Sequence, residues 1–281
     1  MSRDMKKFDM TRFGRVLKLD FSEGFKPMMW GTLCMLLLYL FFFWFAHDLG
    51  FNESSFQYMK AMDHLTEDEI MQLRIKEICS AVSAFSAMAM YIFFLIAAST
   101  LYRGEQKKQR RIAWLMLPAT NLEKFVSRWV YLLVFSLVGG LLTFFVADLL
   151  HMAYLSMAGY PVMASTDKLF SVLPSVTARG WLRTLPTYAF LTGIHAIYLL
   201  GGVFFKKFHF IAVSAAVVFG FTSFVALMNM LFEPGQPASI SNNALYIIIT
   251  VCWTLVTILC TWLAYRLFCR WQVVTHKLAN V

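Results

Sequence analysis

Asp148 and His151 stand three residues apart at the end of a long apolar run, a spacing that puts both on one helix face. An acid beside an imidazole can pass a proton or fix a tautomer, and an ionisable pair at membrane depth is a functional hypothesis by default. The nineteen residues from Trp129 to Ala147 carry no charge, so Asp148 also suits a marker of the outer interface, and that structural role is the first expectation. His195 lies midway along another apolar run, beside Thr192 and Gly193, and Asn229 lies in a further one. For both, an interhelical hydrogen bond is expected before catalysis. Asp148, His151, His195 and Asn229 together make up the possible intramembrane polar site.

The remaining reactive residue types form no pattern. Six histidines are scattered without metal-ligand spacing on any one helix. Five cysteines (Cys34, Cys79, Cys252, Cys260 and Cys269) are odd in number, lack a C-x-x-C pair and lie in or beside apolar runs. They read as small buried hydrophobes, with no disulfide framework and no zinc site. The sequence contains no H-E-x-x-H, no G-x-S-x-G and no phosphate-binding loop of the Walker type. We therefore expect no catalytic residues, no metal and no cofactor; any ATP hydrolysis would belong to a separate chain.

The elements that must hold these residues are set by composition. Of 281 residues, 59% are hydrophobic and only 15% charged, against about a quarter charged in soluble domains. Lipid is the solvent this balance fits. Six apolar runs are long enough to cross a hydrocarbon core about 30 Å thick, at about 28–46, 78–102, 129–151, 185–205, 210–232 and 244–266. The expected fold class is all-α, a polytopic membrane protein with six transmembrane helices in one domain over 28–281. A charged segment of more than twenty residues precedes the first run, so no cleavable leader is expected.

The net charge of +9 could suggest nucleic acid, but the cations gather beside apolar runs, as orientation signals do. Nineteen of the 25 basic residues fall in the N-terminal segment, the 103–128 connection, the 206–207 turn and the tail; six fall on the other side. The positive-inside rule places both termini in the cytoplasm, with no nucleic-acid partner. A bacterial cytoplasmic membrane is the expected location.

Residues 1–27 read as an interfacial amphipathic helix. Met10, Phe13, Val16, Leu17 and Phe21 share one side, Arg12, Arg15 and Lys18 the other, with Leu19 breaking the pattern. On the outer side, Thr66 and Glu69 have capping-box spacing, so a helix should start there and run into the second span. The 103–128 connection opens with a basic run and continues with an apolar patch around Ile112, Trp114 and Leu117. Pro118 then interrupts it, and Thr120 with Glu123 forms a second capping box that starts a new helix. Gly139-Gly140 and Gly201-Gly202 should permit close helix packing or local bending.

An interfacial helix before the first span, six spans with both ends inside, and a jointed connection between spans two and three together resemble the permease subunits of type-two ABC exporters. The stretch LMLPATNLEKFVSRW, Leu115 to Trp129, is similar to that family's corresponding segment. The resemblance implies a coupling helix in the connection that docks on a cytoplasmic ATPase subunit, and a homodimer or heterodimer as the working form. Carried onto this chain, the ATPase contact falls on Arg110, Arg111, Trp114, Leu117, Pro118, Thr120, Glu123 and Lys124. The sequence departs from the family in its short connection between spans five and six, residues 233–243. The alternative is a non-transporting membrane scaffold, sensor or assembly factor that binds through its outer segments; an intramembrane enzyme built on Asp148, His151 and His195 comes third.

Overall fold

The computed structural model describes residues 8–50, 66–102, 108–172, 181–205, 208–231 and 242–270. The side chains of Arg110, Arg111 and Asn229, the basic pair Lys206-Lys207, the 233–241 turn and the tail beyond Arg270 lie outside the described residues. Regular structure among the described residues is helical, as a bilayer requires: with no water available, each backbone amide must find its carbonyl within its own helix. The helices are α1 (Met10–Gly50), α2 (Glu67–Thr100), α3 (Lys108–Leu115), α4 (Asn121–Leu133), α5 (Gly139–Met157), α6 (Thr166–Val172), α7 (Trp181–Phe204), α8 (His209–Leu231) and α9 (Asn242–Cys269). One π-helical turn, Val134–Val138, joins α4 to α5 without a break.

Among the described residues, five stretches are long and apolar enough to cross a membrane: Met10–Asp48, Asp68–Thr100, Asn121–Met157, Thr184–Phe204 and Tyr246–Cys269. A shorter apolar helix covers His209–Gly220, where the fifth of the six expected spans falls. The chain is thus a polytopic, all-helical membrane protein. The amphipathic N-terminal segment and the first span are one continuous helix, with Pro27 accommodated inside it.

Both capping boxes form. The Thr66 amide donates to Glu69 Oε2 at 2.9 Å, and the Glu69 amide donates to Thr66 Oγ1 at 3.4 Å. The Thr120 amide donates to Glu123 Oε2 at 2.8 Å, and the Glu123 amide to Thr120 Oγ1 at 3.2 Å. Each satisfies amides that the first turn of a helix leaves without partners.

The chain divides into two compact units, the first comprising Met1–Asp20, Phe94–Leu132 and Val176–Val281, the second Phe21–Phe93 and Leu133–Ser175. The second unit has a core of α1, α2, α5 and α6 side chains, including Tyr39, Phe43, Ile75, Val82, Phe144 and Leu155. Tyr39 meets Phe144 edge to face, ring centroids 5.5 Å apart. Glycine lets these helices approach: a Cβ on Gly139 would sit 3.1 Å from Thr32 Cγ2, and one on Gly140 would sit 3.1 Å from Met90 Cγ. In lipid, where exposed apolar surface costs nothing, such close contact supplies the cohesion.

In the first unit α7 packs along α9, with Phe190 edge-on to Trp253 at 4.8 Å. Tyr198 Oη and Ser214 Oγ share a 2.7 Å hydrogen bond between α7 and α8. A Cβ on Gly202 would lie 2.6 Å from the Ser99 carbonyl oxygen, closer than such atoms approach. Both glycine pairs therefore serve close packing, as expected.

Candidate functional site

The first unit gathers the start of α1, the end of α2, the α3–α4 connection and the end of α9 into one cluster. Its polar half begins at Glu123, fully buried in the first turn of α4. The Glu123 carboxylate accepts the amide of Asp9 at 2.7 Å and the Arg12 guanidinium at 3.1 Å, besides the Thr120 amide of its own cap. A carboxylate placed at a helix start by the capping box thus also fastens the N-terminal helix. One turn further on, Arg128 Nε lies 2.8 Å from Asp20 Oδ1, and Ser127 Oγ donates to Asp20 Oδ2. Asp9 just before α1, and Arg12 and Asp20 on it, therefore face Glu123, Ser127 and Arg128 on α4, running in the same direction.

These groups precede Trp129, where the uncharged part of the helix begins. Lys124 Nζ donates to the Leu115 carbonyl at 3.1 Å, closing the far side of the Pro118 break.

The other half is aromatic. Trp114 is buried, edge-on to Phe268 at 5.3 Å, and both Lys124 Nζ and the Arg128 guanidinium sit 5.5 Å from its ring centroid. Phe125 lies 5.5 Å from Tyr265 and 5.7 Å from Phe268, while Tyr102 stacks on Phe125 at 6.3 Å. Aromatic pairs and cations over ring faces are each stabilising by roughly 0.5–2 kcal/mol.

This arrangement divides the residues expected to touch an ATPase. Trp114, Glu123 and Lys124 are turned inward and hold the chain's own elements together, so they offer no surface to a partner. Leu117 and Thr120 are half-buried, Pro118 is exposed, and Ile112 and Met116 stand out at 39% and 79% exposure. Arg12, placed by periodicity with the outward cations, is drawn in by Glu123. The sequence signal for Glu123's second role was an acid set among the seven cations of the 103–128 connection, where Glu105 is the other acid.

In the second unit, Asp148 and His151 are both buried on one face of α5, as their spacing predicts. Their partners differ. Asp148 caps α6: Oδ1 accepts the Ser165 amide at 2.9 Å, and Oδ2 accepts the Thr166 amide at 2.9 Å and the Thr166 hydroxyl at 2.6 Å. His151 Nε2 lies 2.8 Å from His47 Nε2, and its ring stacks on Phe43 at 4.2 Å. His47, at the end of α1, is the member of this group that sequence reading missed; its distance of 104 residues from His151 gave no local signal.

His195 belongs to the first unit. Its ring lies flat on Phe94, centroids 4.0 Å apart, and neither ring nitrogen has a hydrogen-bond partner among the described residues. The expected interhelical hydrogen bond is replaced by stacking. No group of three or more His, Cys, Asp or Glu side chains able to hold a metal occurs among the described residues. Neither a family model, nor a curated protein, nor a solved structure matches the chain.

Proposed function

We propose that the chain is a permease-like subunit of an ABC exporter, spanning the membrane six times and driven by a separate cytoplasmic ATPase through the 103–128 connection. The observation that carries this reading is the jointed connection itself. A short helix with exposed Ile112, followed by exposed Met116, leads into a proline break, and the next helix is tied to α1 by two ion pairs. A push on α3 would reach α4 and α1 together, because a short rigid lever is useful only if its far end is fastened. The start of α1 and the end of α9 meet at this connection, which supports placing both termini on the cytoplasmic side with it.

The working form is a dimer with the ATPase below it. Gentle solubilisation from native membranes should then bring down an ATPase with the chain. Because Ile112 and Met116 are exposed, replacing both with glutamate should release that ATPase while leaving thermal stability unchanged. Isolation of the chain alone, with a soluble ATPase partner absent at every detergent strength, would sink the proposal.

A membrane scaffold or assembly factor is the second reading, favoured by Asp148. Its carboxylate is given over to capping α6 rather than to a passage, which builds an ordered surface at that end of the second unit. Function that depends on that surface with no nucleotide requirement would select it.

A further inference from the structure

The first unit also carries a concave surface beside the joint, which shares Phe125 and Tyr265 with it. Between α4 and α9 runs an open groove of about 490 Å³, with Val126, Trp129, Ile258 and Trp262 among its lining residues. Two threonines line it as well, yet both hydroxyls are turned to their own helix: Thr257 Oγ1 donates to the Trp253 carbonyl at 2.9 Å, and Thr261 Oγ1 to the Thr257 carbonyl at 2.8 Å. Nothing in the lining asks for a polar ligand. From Thr257 to Tyr265 the wall follows two turns of helix, about 12 Å at 1.5 Å per residue, a length that suits part of an acyl chain.

Charge stands at one end of this wall. The Arg266 guanidinium lies over the Trp262 ring, 4.9 Å from its centroid, and both Arg266 and the next-turn Arg270 are exposed. α9 contains no acidic residue, and Glu123, the nearest acid in the α4 sequence, is buried in its pair with Arg12. The groove therefore ends in a cation that its own walls do not neutralise. A tryptophan–arginine pair at the edge of an apolar wall is the arrangement that holds a side chain at headgroup depth.

We propose that this groove seats an acyl chain of an anionic phospholipid, with the phosphate held at Arg266. A flexible apolar chain ending in an anion matches both halves of the surface, and the bilayer supplies such molecules at that depth. The site rests on the membrane-spanning fold and holds whether or not an ATPase engages the connection.

The test uses the full-length chain in nanodiscs of phosphatidylcholine, with a minority of lipid brominated in its acyl chains. That brominated lipid is phosphatidylglycerol in one sample and phosphatidylcholine in the other. Bromine quenches tryptophan fluorescence on contact. One basic residue near the surface is worth a factor of about five in binding an anionic lipid, so the anionic lipid should be enriched about fivefold at the groove tryptophans. Trp129→Phe with Trp262→Phe should remove the excess quenching; Arg266→Gln should bring it to parity, and Arg266→Lys should keep it. Parity in the unmodified protein overturns the proposal without any variant. So does an excess that survives loss of both tryptophans, or absence of quenching there together with disulfide-linked dimers through Ile258→Cys, which would make a second copy the occupant.

Discussion

Glu123 shows how much a single carboxylate can hold. It closes a cap, accepts the Asp9 amide and pairs with Arg12 while fully buried. Removing it takes the acceptor from the Asp9 amide and from the Arg12 guanidinium, which is 21% exposed, at a cost on the order of 1–3 kcal/mol. Glu123→Ala should therefore lower the thermal midpoint in detergent far more than Glu69→Ala, whose cap is exposed. Asp148 invites a different measurement, since Asp148→Ala leaves the Ser165 and Thr166 amides without an acceptor. Hydrogen exchange should then speed up across α6 while α5 keeps its protection. The caps were legible because Thr-x-x-Glu is a local pattern with a local cause. The His47–His151 contact and the fastening of Arg12 were not, because they join residues more than 100 positions apart.

At the scale of elements, length and apolarity announced the spans, and glycine pairs announced where helices come closest. Gly202 makes the sharper case, because the atom a Cβ would strike is backbone oxygen, which cannot rotate aside. Gly202→Ala should cost about 1–3 kcal/mol, read as a lowered midpoint, whereas Gly14→Ala meets no neighbour and should be neutral or slightly stabilising. Periodicity was a poorer guide at the N-terminus. It sorted Arg12 with Arg15 and Lys18 as outward cations, since a helical wheel records the angle of a side chain and not what waits beside it. The π-helical turn at Val134–Val138 was invisible for a related reason: its sequence, VFSLV, fits an ordinary apolar helix equally well.

For the whole molecule, composition identified the solvent and charge placement suggested the orientation. Reporter fusions after Arg270 and before Met10 should both report the cytoplasm, and a fusion near Thr66 the opposite side; any other pattern refutes the six-span topology. Charge placement has a further consequence once the joint is considered. Lys124 and Arg128 count among the cations that would steer insertion, yet in the finished fold one is buried against a carbonyl and a tryptophan, the other against Asp20. On that orientation they would act on the bilayer while the chain is being threaded and be withdrawn as it folds. Biogenesis and stability would then draw on the same two side chains at different times. Lys124→Gln should leave a share of molecules inserted the wrong way round, a defect that refolding in detergent cannot reveal.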